Sequence, residues 1–201
     1  GKNYIPRKEN IEKYSKIKLK NDETLNEIAE PLFENKDYNI RDLNTSEVSH
    51  LDEIKNIIIP SDEINILKDL NIHNCSAFTG FPHEEYNDHL FSNKVLDHIK
   101  NITISSMNDD SYYKDIEIKT SFETYFDDLH KWITNNNIKE IYLPYVTQGN
   151  WKRIYKKIIK QYPDIKFIKF NRKYDITSWV HSKKGYFKFK QNIPSIIKEI
   201  F

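Results

Sequence analysis

Glycine is scarce in this chain, with 4 among 201 residues. Gly80, Gly149 and Gly185 stand isolated, so neither a GxGxxG turn nor a GxxxxGK loop is present. The glycine-built phosphate cradles are thereby excluded. Cysteine is scarcer still. Cys75 alone excludes an internal disulfide and any multi-cysteine zinc or iron–sulfur site. Without a CxxC partner or a neighbouring base it reads as a small buried hydrophobe. No GxSxG elbow occurs, so an esterase-like nucleophile lacks its motif. No apolar run approaches the ~20 residues needed to cross a bilayer. Lys2, Arg7, Lys8 and Glu9 interrupt the start, unlike a signal peptide, and a cytoplasmic location is expected. An excess of one charge is missing too: 31 Lys+Arg against 30 Asp+Glu leave +1, no global field to attract nucleic acid.

What is present suits a core of ordinary size under a heavily charged surface, with 38% hydrophobic and 30% charged residues. The 13 Tyr, 11 Phe and 3 Trp read mainly as core filler. Residues 1–20 hold one short helix candidate, with Pro6 suited to its first turn and Ile11 and Tyr14 three apart. A second helical piece spans Leu25–Leu32, halted near Pro31, before a polar connector through Asn44 and Ser46.

From residue 55 the pattern changes. Asn56–Pro60 is a short apolar run ended by proline, as a buried strand would be. Ser61 is a candidate N-cap for a helix carrying Ile64 and Leu67. Cys75–Phe78 reads as a strand closed by Thr79–Pro82, a helix is expected across Leu90–Ile99, and residues 105–116 read as a loop. Thr120 or Ser121 is expected to cap a helix on which Phe122, Tyr125, Phe126, Leu129, Trp132 and Ile133 repeat at three and four. Glu140–Pro144 is a second buried strand, Trp151, Ile154, Tyr155, Ile158 and Ile159 mark a helix, and Ile165–Phe170 a third strand. This βαβ spacing predicts an α/β fold with a mostly parallel, doubly wound sheet over residues 51–201.

Few residues suggest chemistry. His83, His89 and His98 lie near Glu84, Glu85 and Asp88, but none forms HExxH and the segment reads as a polar loop. The loop Tyr145–Asn150 sits at the carboxyl end of a strand, where open α/β sheets place ligands. Thr147, Gln148 and the helix start at Asn150 are its candidate ligand residues, with an anion as candidate occupant; a plain strand-to-helix turn is the other reading. The stretch Arg172–Pro194 interleaves Lys183 and Lys184 with Trp179, Tyr186, Phe187 and Phe189. Such a pattern either tracks a nucleic-acid strand or docks an aromatic helix on the sheet with its lysines in water, and the second is favoured. Asp175 and His181 form a candidate carboxylate–imidazole pair.

Two blocks carry a family resemblance. Gly1–Arg7 with Asn10–Ser15, followed by Leu25–Leu32, resembles a segment of the FAD-binding helical domain in a bacterial branch of photolyases and cryptochromes. Arg172, Asp175, Trp179, His181, Lys184–Phe187, Phe189 and Ile193-Pro194 resemble the ending of that branch. About 60 residues at the two ends carry the likeness. Asn3 departs from an expected histidine, Val180 from a proline, and Lys173 and Tyr174 stand near where a tryptophan would precede Asp175.

The resemblance implies that the chain, opening in mid-motif without methionine, is the C-terminal part of a longer FAD-dependent flavoprotein. That protein would be a photolyase-type DNA repair lyase or a cryptochrome-like blue-light receptor. Residues 1–50 would then be the end of the FAD-binding helical domain plus a linker. Asn10 would face the central-ring nitrogen of the folded FAD and tune its redox state. The rest of the flavin pocket and any DNA-facing groove would lie upstream, with DNA as the implied partner and no membrane. The alternative is an accessory α/β module over 51–201 that binds a small ligand or partner without catalysis of its own; a divergent nucleotide-binding enzyme using the 145–150 loop is a third reading.

Overall fold

The computed structural model describes residues 8–15, 18, 54–87, 91–108, 110–113, 116–146, 149–182 and 185–200. The chain divides into two compact units, Gly1–Arg41 and Asp42–Phe201. In the first, helix α1 covers Lys8–Ser15, with Glu9 in its first turn and Lys13 in its last, each matching the helix dipole. None of its residues is buried. The helical piece expected at Leu25–Leu32 and the connector after it lie outside the described residues.

The second unit is a five-stranded, all-parallel sheet wound with helices, as the βαβ spacing predicts. Strand β1 is Asn56–Pro60. After it come the one-turn helix α2, Ile66–Asp69, and strand β2, Ser76–Gly80. Helices α3 (His83–Asn87), α4 (Asn93–Met107) and α5 (Asp110–Tyr113) lead to strand β3, Glu117–Ser121. Then follow α6 (Tyr125–Asn135), β4 (Glu140–Pro144), α7 (Asn150–Gln161) and β5 (Lys166–Phe170). Helices α8 (Lys173–Trp179) and α9 (Tyr186–Ile200) close the unit, with Pro194 inside α9.

The strand order is β3-β2-β1-β4-β5. The chain first builds outward from β1 in one direction, then crosses back and builds in the other, so the order reverses between β1 and β4. That reversal separates the loops leaving these two strands and opens a crevice at their carboxyl ends.

The continuous apolar run of β1 follows from burial on both faces. Ile58 joins Phe78, Ile141 and Leu143 in a cluster with Leu129, Trp132 and Ile133 of α6 and Trp151, Ile154, Tyr155 and Ile158 of α7. Ile57 and Ile59 point the other way, into a cluster with Ala77, Tyr142, Phe170, Ile66 and Leu67. Each large apolar side chain buried in this way contributes about 1.5–3 kcal/mol, an upper estimate. Trp132 donates from Nε1 to Ser76 Oγ at 2.9 Å, so its polar atom is satisfied inside the first cluster.

Several expectations need correction. Ser61 does not cap a helix. It lies in a turn in which Glu63 N donates to Pro60 O at 2.9 Å, and α2 begins only at Ile66. The β2 strand runs to Gly80, because Thr79 and Gly80 pair with β1 on one side and β3 on the other. The segment 105–116 is not all loop, since α4 extends to Met107 and α5 follows. Thr120 and Ser121 end strand β3; α6 starts at Tyr125 after Thr124. Phe122 therefore precedes the helix and packs edge-on against Phe81, with ring centroids 5.1 Å apart.

Candidate functional site

The crevice predicted by the strand order is occupied by a cavity of about 460 Å³, within the roughly 300–1,000 Å³ usual for small-molecule sites. Asp62 and Glu63 from the turn after β1 line it, with Tyr145 and Val146 after β4 and Asn171 and Arg172 after β5. Among the described residues, Asp175, Ser178 and Trp179 of α8, Ser182, and Phe189 of α9 also line it. Strand-to-helix connections from three parallel strands thus converge on one space.

Arg172 organises the charges. Its Nε donates to Asp175 Oδ2 at 2.7 Å and its Nη2 to Asp175 Oδ1 at 3.3 Å, a two-toothed grip three residues along the chain. Nη1 reaches Asp69 Oδ2 at 3.0 Å and Glu63 Oε2 at 3.1 Å. One guanidinium therefore ties α8 to α2 and to the turn after β1. Burial alone would lower its pKa, but the hydrogen bond to Asp175 and the charge of Glu63 more than offset this and raise it. Burial also raises the Glu63 carboxyl above its ordinary value, and Arg172 counters only part of that rise. Asp62 stands exposed at the mouth. Partial desolvation raises its carboxyl, against a long 3.4 Å hydrogen bond from Ser61 Oγ.

The turn that presents the two acids is itself anchored, since Trp151 Nε1 donates to Ser61 Oγ at 3.1 Å. On α8, two polar atoms face the opposite situation. Ser178 is 9% exposed, and its Oγ has no hydrogen-bond partner among the described residues. The buried Trp179 Nε1 has none there either. Leaving a buried donor unpaired costs about 1–3 kcal/mol; both atoms belong to residues of the cavity lining but are themselves closed off from solvent.

The residues singled out in the sequence fall unevenly. Tyr145 and Val146 of the 145–150 loop do line the cavity. Thr147 and Gln148 lie outside the described residues, and Asn150 is the half-buried first residue of α7, not part of the lining. Asn10 is exposed on α1. Arg172, Asp175, Trp179 and Phe189 of the C-terminal block all reach the cavity. Asp175 is gripped by Arg172, and among the described residues no hydrogen bond joins it to His181, which corrects the expected pair.

The aromatic docking expected for the last stretch holds in part: Trp179 and Phe189 turn inward, while Tyr186 and Phe187 are 67% and 80% exposed. Glu85, read as part of a polar loop, sits on α3 and pairs with Arg153 at 3.1 Å and Lys157 at 2.9 Å on α7. Cys75 is half-buried, and burial pushes its thiol up to about 12. Among the described residues, no group of three or more His, Cys, Asp or Glu is placed to hold a metal ion, and no helix is long and apolar enough to cross a membrane.

Asp62, Glu63 and Ser178 were not anticipated. The signal for the first two was available, because an acidic pair directly after a buried strand stands at the carboxyl edge of the sheet. Ser178 gave none. Neither a family model nor a curated protein matches the chain.

Proposed function

We propose that the α/β unit is a small-ligand-binding module whose ligand occupies the crevice between the carboxyl ends of β1, β4 and β5. The observation that carries this reading is the cavity of about 460 Å³ in that crevice, lined by charged, polar and aromatic side chains from three strand ends and from α8 and α9. The fixed frame supports it further: Arg172 holds three carboxylates in place, so little ordering is left to be done when a ligand enters. The test is a thermal-shift screen of the chain against nucleosides, nucleotides, flavins and pterins. A ligand that raises the Tm of the wild type, and does so less for Glu63→Gln and Tyr145→Ala, supports the module. Equal shifts in both variants, or silence across the whole panel, would sink it.

A second reading concerns the longer protein of which this chain would be the C-terminal part. It is favoured by the two blocks that resemble photolyases and cryptochromes, four of whose residues line the crevice. On this reading the whole protein is an FAD-dependent, photolyase-type DNA repair lyase or a cryptochrome-like light receptor. Residues 1–50 would end its FAD-binding domain, and Asn10 would face the flavin. The full-length protein should then purify with bound FAD and show flavin absorbance, with Asn10→Ala changing the rate of flavin photoreduction. A colourless full-length protein that fails to take up added FAD would remove this reading.

A further inference from the structure

The last helix is apolar on more of its circumference than its core contacts use. Phe189, Ile193, Ile196 and Ile200 recur at three and four along α9 and are its buried or half-buried side. A stripe of that kind, about 100° wide, is what a surface helix of a globular protein needs. At 3.6 residues per turn, however, Tyr186, Ile197, Lys190, Pro194, Phe187 and Lys198 form a second, adjoining arc. All six are exposed.

Singly exposed apolar residues are ordinary on a protein surface. Here Tyr186 and Phe187 stand side by side in water, their ring centroids 5.5 Å apart. Ile197 follows about three turns further along on the side of Tyr186, and Lys198 does the same on the side of Phe187. The one acidic residue of α9, Glu199, lies off this arc and accepts from Thr177 Oγ1 of α8 at 3.3 Å. The outward arc is thus apolar and cationic at once, and it takes no part in lining the crevice.

We propose that this outward side of α9 binds an anionic lipid bilayer surface, lying on it and not crossing it. Rings and an isoleucine that enter the headgroup boundary, with lysines beside them, supply the apolar and the electrostatic signals that reversible surface binding needs together. The lysine stems reach along the apolar arc while their ammonium groups meet the lipid phosphates and carboxylates. Two other occupants fit less well. A second copy meeting this face through a two-fold axis would set Lys190 and Lys198 against the same lysines. Single-stranded nucleic acid wants ring faces on which successive bases stack, whereas the two rings are 68° apart in an edge-to-face pair and Ile197 offers no ring at all.

The test is sedimentation of the chain with vesicles of phosphatidylcholine alone and of phosphatidylcholine with about one third phosphatidylserine. The chain should partition onto the anionic vesicles, stay in solution with the neutral ones, and be released as salt rises. Phe187→Ser, and separately the pair Lys190→Glu with Lys198→Glu, should each lower that partitioning about tenfold or more, with circular dichroism unchanged. The same charge change at exposed lysines of α7, Lys156→Glu with Lys160→Glu, should leave it within about twofold. Failure to bind anionic vesicles, equal binding to neutral ones, or an equal loss from the α7 pair overturns the proposal. So does binding of a labelled oligo(dT) that Phe187→Ser abolishes while vesicles stay bare, which would give the face to nucleic acid.

Discussion

The carboxyl edge of this sheet has two halves that share one geometry and have opposite fates. After β2 and β3 the chain continues as Gly80-Phe81-Pro82 and Ser121-Phe122, and the two phenylalanines meet edge-on and bury. Gly80 permits this closeness: its φ is +119°, and a Cβ there would stand 1.8 Å from the carbonyl oxygen of Ser121. What remains outside is a smaller recess of about 170 Å³. After β1 and β4 the chain continues as Ser61-Asp62-Glu63 and Tyr145-Val146, and the larger cavity remains. The contrast teaches that the residues following a parallel strand decide whether its end becomes core or site. Apolar rings seal the edge; carboxylates, which cannot be buried without partners, hold it open.

The first way to break this comparison is to cut into each half. Phe81→Ala removes a fully buried ring from the sealed half and should cost about 3–5 kcal/mol in chemical denaturation. Arg172→Ala in the open half should cost less, about 1–2 kcal/mol, because the ion pairs it loses are partly solvated. Equal losses would mean that the open half is as much a part of the folding core as the sealed one.

A smaller effect separates the halves by pH. In the sealed half, hydrogen bonds from Ser121 at 2.7 Å and Thr124 at 2.8 Å lower the Asp128 carboxyl below its ordinary 3.8. Its stabilising contribution is present above that unfolded value and is lost as pH falls through the depressed one. In the open half the Glu63 carboxyl is raised above its ordinary 4.5, chiefly by burial. Its contribution is present below 4.5 and is lost as pH rises through the raised value. Melting temperatures across roughly pH 3–7 should therefore show the wild type losing ground to Glu63→Gln on the alkaline side and to Asp128→Asn on the acid side. Parallel curves for the two variants would erase the distinction.

Much of the frame was legible in the sequence. Strands β1 and β4 announce themselves as apolar runs closed by proline, and α6 and α7 by the spacing of Leu129, Trp132 and Ile133 and of Trp151, Ile154, Tyr155 and Ile158. Strand β3 was not, because Glu117 and Lys119 are exposed and give it no buried run to recognise. The position of the site was readable from the general preference of parallel sheets, and Tyr145 and Val146 lie where that preference points. Its composition was not. Glu63, Arg172 and Ser178 come together only because β1 and β5 flank β4, a pairing that no local pattern records.

The exposed charges of β3 have one more consequence. Among the described residues β3 and β5 are the outermost strands of the sheet, each with one row of backbone groups that no described strand pairs. Lys119 on β3 and Lys166 and Lys169 on β5 are exposed along those two margins. A second sheet approaching either margin must strip water from these charged groups, so strand addition between molecules is discouraged at both ends. The charges of Glu117 and Lys119 that hid β3 from a hydrophobic pattern thus also guard that edge against strand addition.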